Sequence, residues 1–436
     1  MNDSAMHTFG QNLTKRILIA MLSGVVAGVL IYFLASSGLG KTAAFVKFDA
    51  LILNGLIDIV GKVFVASLKV MVVPLVFVSL VCGVASLKDG ASIGVISFRT
   101  IALYFCTTAL AISVALALSL IVQPGIGGES LAAASSFEAK PSPGLKSVLL
   151  NIFPTNIVNA MAAGNMLQII VFAILFGMAI NRAETEGAPV LAFFQSMDKV
   201  IMRLVLLVME LAPVGIFCLM VAMFASTGPE HILRLAKYFF TVIAALLIHL
   251  GATLSVLLIV FGRLNPWIFF KKIRAIWLFA FSTASSNATI PVTLNTVENR
   301  LGVSNKVAAF TVPLGATINM DGTAIMQGVA TVFIAQTYGI DIGLSGYLMV
   351  ILTATLASIG TAGVPGVGMI TLALVLEQVG LPVEGIALII GIDRLLDMVR
   401  TAVNVSGDAA VATIVARSTG NLDESIYNGP IPKESN

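Results

Sequence analysis

The chain has 436 residues, 58% of them hydrophobic and 11% charged, with a formal net charge of +3. Soluble domains run nearer ~45–50% and ~25%, so this composition, with a mean hydropathy of +1.00, excludes a soluble domain and specifies a polytopic membrane protein. The small net charge gives no reason to expect nucleic acid as a partner, and the length allows roughly eight to ten spans without a separate soluble domain.

Residues 1–14 are polar and are expected to form an unstructured cytoplasmic tail, and Lys15 and Arg16 precede a first apolar run at 17–34. The basic pair should hold the N-terminus inside, and the run is expected as a retained span rather than a signal peptide. A second run, 51–84, contains Lys62, Lys69 and Pro74, and Lys69 is expected to reach a polar partner between helices. A third, 101–122, carries Tyr104, Thr107 and Thr108 at i, i+3 and i+4, which taken alone is an ordinary interhelical hydrogen-bonding patch. Residues 124–148 form the longest loop, expected outside, before spans near 157–180, 200–224 and 239–260. Cys82, Cys106 and Cys218 lack metal-ligand spacing and read as buried reduced thiols. None of the three histidines belongs to a His-Glu-x-x-His motif, and His249 reads as a packing residue. Arg263, Lys271, Lys272 and Arg274 then cluster on the side that the span count places inside.

After residue 275 the texture changes. Ser282 to Pro291 is too polar and broken for a lipid-facing helix and is expected as the tip of a re-entrant hairpin, because open backbone at membrane depth needs protein or water partners. The run 307–335 is interrupted by Asn319-Met320-Asp321-Gly322-Thr323, expected as an unwound segment with carbonyls available to ions. The arrangement then recurs: a second Gly- and Pro-broken tip at 358–366 precedes a charged span at 386–416, and residues 418–436 are expected as a disordered inner tail. Paired interrupted segments point to a substrate site between inverted repeats.

The charged span carries Asp393, Arg394, Asp397, Arg400, Thr401, Asn404 and Asp408 within an arc of about 120° of one helix. Five charges would cost on the order of 10–15 kcal/mol at the centre of a bilayer unless paired or ligated. Three aspartates against two arginines leave one surplus anion, and Asp321, with no basic neighbour in sequence, adds another. Surplus buried anions call for bound cations.

With these motifs in view, the chain resembles the dicarboxylate/amino acid:cation symporter family over roughly residues 15–417, most specifically at 315–323, 357–366 and 393–408. The resemblance implies an all-α membrane fold with eight spans, two re-entrant hairpins and inverted repeats, working as an elevator. Spans one, two, four and five would form a trimerising scaffold. Span three, span six and residues from about 266 to 417 would form the mobile core, between cytoplasmic tails 1–14 and 418–436. It further implies that Arg400 clamps a side-chain carboxylate and Asp397 binds the α-ammonium, roles that charge and geometry also favour. Thr323, Thr401 and Asn404 would add hydrogen bonds, and the tips at Ser286 and at Val364 and Gly368 would close over the ligand. Three sodium sites are implied. One uses Gly315, Asn319, Asn404 and Asp408; another uses Tyr104, Thr107, Thr108, Asn319 and Asp321; the third uses Thr317, Ser358, Ile359 and Thr361. All supply the oxygen ligands that hard cations take.

Where relatives carry a further arginine, this chain has Ala284 or Met398, and Arg394, one turn before Met398, is a rival or auxiliary clamp. Gln327 replaces the glutamate that animal members use for proton and potassium counter-transport. Asp397 and Asp408, where proton-coupled C4-dicarboxylate members have Ser and Asn, favour an amino acid and sodium. The implied protein is not an enzyme and needs no cofactor beyond Na⁺ as coupling ion. It would take up aspartate or glutamate across a bacterial-type inner membrane as a homotrimer with both termini cytoplasmic. The alternatives are proton coupling, a C4-dicarboxylate substrate, a channel, or an intramembrane aspartyl protease, whose Gly-x-Gly-Asp would need Gly where Val405 stands.

Overall fold

The computed structural model describes residues 3–85, 91–126, 153–227, 230–358, 363 and 366–430, and these residues are helical apart from turns and one isolated two-residue bridge. The chain runs through α1 (Asp3–Ser36), α2 (Ala43–Phe48), α3 (Asp58–Ala85), α4 (Ala91–Val122), α5 (Ile157–Ala163), α6 (Met166–Arg182), α7 (Glu184–Glu210) and α8 (Ala212–Thr227). It continues through α9 (Glu230–Ile248), α10 (Leu254–Leu257), α11 (Pro266–Lys272), α12 (Arg274–Thr283), α13 (Ser286–Asn299), α14 (Asn305–Ile318) and α15 (Asp321–Tyr338). The last elements are α16 (Gly343–Ser358), α17 (Val367–Gln378), α18 (Ile390–Ser418) and α19 (Glu424–Asn428). Among the described residues, three segments are each long and apolar enough to cross a bilayer alone: Ile19–Ser36, Val95–Val122 and Leu233–Gly262.

Packing separates the helices into two groups. In one, α1 lies along α8, and α3 packs on α6, α7 and α8. In the other, α15 packs on α4, α9 and α18, and α18 also covers α12, α13 and α14. Outward faces carry apolar side chains such as Leu22, Leu51, Phe240 and Leu278, as a hydrocarbon surround requires. By contrast, all of α15 except Gln336 and Tyr338 is buried, including Asp321, Thr323 and Gln327. A helix enclosed on every side can carry polar groups only if each finds a partner.

The breaks are narrower than the composition suggested. The first hairpin turns at Ala284, whose φ of 48° is left-handed, and Ser285 then caps α13 by accepting from the Ala288 amide. Pro291 is carried inside α13 rather than ending it. Between α14 and α15 only Asn319 and Met320 leave the helix, so Asp321, Gly322 and Thr323 already belong to α15. Residues 383–388 form a 3₁₀ turn, and the charged helix starts at Ile390 rather than 386. The expected span at 200–224 crosses a joint at Leu211, because α7 begins at Glu184 and α8 at Ala212. Most of the 124–148 loop and the side chain of Lys69 lie outside the described residues.

Both tails differ from expectation. Residues 3–14 continue α1 as helix. At the other end, 419–430 fold back as a strap. Asp423 N donates to Gly302 O at 2.7 Å, Ser304 N to Asn421 O at 2.9 Å, and Val303 bridges Leu422. Gly302 has a φ of 77°, and a Cβ there would meet Asp423 O at 2.4 Å, so the turn requires glycine. Lys272 is buried and donates Nζ to the carbonyls of Ile426 (2.6 Å) and Tyr427 (2.7 Å), capping α19, while Tyr427 donates its hydroxyl to Asn265 O at 2.9 Å. Arg417 pairs with Glu424. The polar composition of the tail feeds specific bonds and is not a sign of disorder.

Candidate functional site

The arc foreseen on the last long helix is real and enclosed: all seven of its polar residues on α18 are buried, and Arg400 is 0% exposed. Arg400 Nη2 donates to Asp397 Oδ1 at 2.9 Å and to Asp393 Oδ2 at 3.2 Å. Its Nη1 lies 3.0 Å from Asp393 Oδ1 but off the line of a hydrogen bond, and Nε has no acceptor among the described residues. A guanidinium offers five donors, so Arg400 retains capacity for another planar anion. Arg394 Nη1 stands 3.6 Å from Asp397 Oδ2, on the less enclosed side. Asp397 Oδ2 also accepts from the Gly366 amide at 3.2 Å, which ties the second hairpin to this helix.

Other expected binding residues gather here. A Cβ on Gly368 would lie 2.9 Å from Thr323 Cγ2 and 3.4 Å from Arg400 Nη1, so α17, α15 and α18 converge where only a hydrogen fits. Thr401 donates its hydroxyl to Asp397 O, a bond within its own helix, at 2.8 Å. Ser286 is buried at the first tip, and its Cβ would sit 3.0 Å from a Cβ on Gly363. The Gly363 carbonyl accepts from both Ser285 Oγ (2.7 Å) and Asn287 N (3.1 Å), joining the two tips. Val364 lies outside the described residues. Beside Asp393, Arg394 and Asp397, a cavity of about 30 Å³ faces Ile17, Phe64, Ala212 and Ile216 of the first helix group.

One to two turns along α18 a second polar cluster begins. Asn319 Nδ2 donates to Asp408 Oδ1 at 3.0 Å, and Thr107 Oγ1 donates to Asn319 Oδ1 at 3.0 Å. Thr108 Oγ1 donates to Asp321 Oδ1 at 2.7 Å. Tyr104 donates to Thr311 O, and a Cβ added at Gly315 would meet Asp408 Oδ1 at 2.4 Å and Tyr104 Oη at 2.6 Å. The two-residue break at Asn319 and Met320 places these groups, because it lets α14 end and α15 begin against one face of α4. Asn404 belongs here more than with Arg400: its Oδ1 accepts from Gly322 N at 2.7 Å, and its Nδ2 reaches Met320 Sδ at 3.3 Å.

The third expected set is only partly described. Ser358 donates to Ile318 O (3.2 Å) and Thr355 O (2.8 Å), Thr317 bonds within its own helix to Leu314 O, and Ile359 and Thr361 lie outside the described residues. Among the described residues no three His, Cys, Asp or Glu side chains converge as a metal cluster. Two carboxylates, Asp321 and Asp408, among hydroxyl, amide and carbonyl oxygens suit a hard cation better than a transition metal.

Three buried groups join the site only in the structure. Asp393 shares the arc, and its spacing of two turns from Arg400 is the signal in the sequence. His249 is not a plain packing residue: it opens a wide helical turn (His249–Thr253), and its Nε2 lies 3.1 Å from Asp321 Oδ2. Asp321 therefore has a neighbour that can carry charge, brought from 72 positions away in the chain. Tyr238, on α9, is fully buried with no partner for its hydroxyl among the described residues.

The profile of a family described as the sodium:dicarboxylate symporter family matches residues 13–418. An excitatory amino acid transporter of Caenorhabditis elegans is 35% identical, the match covering 93% of this chain and 88% of the relative. A proton/glutamate-aspartate symporter of Escherichia coli is 34% identical, covering 94% of each. A proton/sodium-glutamate symport protein of Bacillus caldotenax is 33% identical, covering 94% of this chain and 96% of the relative.

Proposed function

We propose the substrate and coupling of this protein from one premise: the chain belongs to the sodium:dicarboxylate symporter family, whose members named above are membrane transporters and not enzymes. It is a symporter for glutamate or aspartate, driven by sodium. The observation that carries this reading is Arg400, wholly buried, with Nε and Nη1 lacking hydrogen-bond acceptors among the described residues, one turn from the buried carboxylate of Asp397. A zwitterion with an acidic side chain matches that pair: its ammonium to Asp397, its distal carboxylate to Arg400. A neutral side chain would leave the arginine with only its internal partners. The Asp321–Asp408 cluster supplies sodium sites through Tyr104, Thr107, Thr108, Gly315, Asn319 and Asn404, with Thr317, Ser358, Ile359 and Thr361 as a further set.

The architecture follows from the same premise. Eight spans are formed by α1, α3, α4, α5 with α6, α7 with α8, α9 through Gly262, α14 with α15, and α18. The paired helices α12/α13 and α16/α17 are re-entrant hairpins. The first packing group is the scaffold of a homotrimer in a bacterial-type inner membrane with both termini cytoplasmic, and the second is the core that carries substrate and ions as an elevator. The small cavity beside Arg394 then lies at the boundary that must open for substrate to enter.

Uptake into proteoliposomes tests the reading. Radiolabelled L-aspartate and L-glutamate should accumulate under an inward sodium gradient, and serine and succinate should not. Proton coupling is the second reading, favoured by the relatives from E. coli and B. caldotenax, which are named as proton and proton/sodium symporters. Accumulation driven by a proton gradient without sodium would establish it in place of sodium coupling, and failure to accumulate either acidic amino acid would reject the substrate class.

A further inference from the structure

The apolar segment Leu233–Gly262 buries a histidine near its middle, His249. An imidazole deep in such a segment is costly unless it serves a partner. His249 opens the wide turn His249–Thr253, which packs on α4 and α18, and turns of this kind inside helices recur at functional sites. Its Nε2 lies 3.1 Å from Asp321 Oδ2, both side chains are 0% exposed, and Nδ1 has no partner among the described residues. The ring is thus placed for Asp321. Nε2 is the nitrogen that carries a proton there, because a bare one would turn its lone pair on the carboxylate.

The two oxygens of Asp321 have different surroundings. Oδ1 faces Thr108 Oγ1 at 2.7 Å and Thr107 Oγ1 at 3.3 Å, and Thr107 Oγ1 is in turn 3.0 Å from Asn319 Oδ1. Four oxygens so close together are the kind of set that a hard cation gathers. Oδ2 points instead to His249 and against Gly407 of α18, where an added Cβ would lie 3.0 Å from it. The last torsion of a carboxylate is broad and weakly restrained. A donor fixed on Oδ2 therefore decides where Oδ1 points.

We propose that His249 is a positioning residue for sodium: its Nε2–H anchors Asp321 Oδ2 and keeps Oδ1 turned to the oxygens of Thr107, Thr108 and Asn319. The inference rests on the sodium reading above and adds to it a residue from a helix outside the ligand set. Affinity for sodium then depends on a ring that does not touch the ion. Hydrogen bonds behind a ligating group typically weigh 10–100-fold in metal affinity.

The test reads sodium binding apart from transport. Unfolding midpoints of the full chain in detergent are measured against NaCl without amino acid, choline chloride keeping the ionic strength constant, for wild type, His249→Gln and His249→Leu. The sodium concentration for half-maximal stabilisation should rise roughly tenfold in His249→Leu, the low end of the range for a lost outer hydrogen bond. It should stay within about threefold of wild type in His249→Gln, whose amide nitrogen reaches about as far as Nε2 and can still donate. The KM for L-aspartate in proteoliposomes at saturating sodium should change by less than about twofold in both variants, because the substrate site is left intact. An unchanged sodium requirement in His249→Leu, a glutamine variant as impaired as the leucine one, or a KM for aspartate that rises as much as the sodium requirement overturns the proposal. If the leucine variant does not fold, His249→Asn takes its place: its amide falls short of Asp321 and should show the same tenfold loss, and a wild-type sodium requirement there again overturns the proposal. Wild-type protein that sodium does not stabilise would instead overturn the sodium reading, whereas normal stabilisation with an indifferent histidine overturns this inference alone.

Discussion

Arg400 carries the selectivity argument, and its surroundings sharpen what a substitution should do. Arg400→Thr removes the common partner of Asp393 and Asp397, and breaking such a buried pair costs roughly 3–5 kcal/mol. Acidic substrates should lose two to three orders of magnitude in affinity, whereas small neutral amino acids should gain weak sodium-dependent binding. Arg394, 3.6 Å from Asp397 and 8% exposed, is the control. Competition assays on Arg400→Thr and Arg394→Ala decide which guanidinium discriminates aspartate from serine, and preserved discrimination in the first variant would reassign the clamp. In the other cluster, Asp408→Asn keeps shape and can still accept from Asn319, so it removes charge alone. Sodium titration of substrate binding should show weakened sodium dependence, and an unaltered titration would remove Asp408 from the ion site.

Elements set where those residues sit. The C-terminal strap joins the base of α11, the 302–304 turn and the end of α18, with Lys272 as its buried anchor. Lys272→Met would leave the Ile426 and Tyr427 carbonyls without their donor, at a cost of about 1–3 kcal/mol. The variant should unfold at lower temperature in detergent, and an unshifted midpoint would show the strap to be dispensable. The strap should also respond to acid. The Ser425 hydroxyl and then the Ile426 amide hold the Asp423 carboxyl below the usual aspartate range. A depressed folded pKa contributes stability that is present above the unfolded value and lost as pH falls through the folded one. Protection factors of the amides across 419–430 should therefore hold near neutrality and fall only on acidification below the ordinary value of 3.8. Amides already unprotected at pH 7, or protection indifferent to acid, would contradict this.

At the scale of the whole molecule, the two helix groups meet beside the charged arc, where a small cavity separates Asp393, Arg394 and Asp397 from the apolar side chains of Ile17, Phe64, Ala212 and Ile216. On the proposed elevator reading the groups separate or slide, and net charge decides how the membrane potential acts on the cycle. If three Na⁺ accompany a substrate of charge −1, two positive charges move inward, worth roughly 4–5 kcal/mol at 100 mV. Uptake should rise with an inside-negative potential set by a potassium diffusion gradient. Potential-independent uptake would rule out that stoichiometry.

Composition alone determined the class, because a chain with 58% hydrophobic and 11% charged residues cannot hide its apolar surface in water. Helical periodicity alone placed Asp393 through Asp408 on one face, since neighbours within a helix are fixed by its pitch. The turn near Ala284 and the break at Asn319 were also legible, because Ser, Asn and Asp in apolar runs announce open backbone. Its extent was not: whether Gly322 and Thr323 unwind depends on the Asn404 acceptor that the Gly322 amide finds on α18. Nor could sequence pair His249 with Asp321 or fold 419–430 against Lys272. Those contacts join positions far apart in the chain, and only the packing of helices decides which buried donor meets which buried acid.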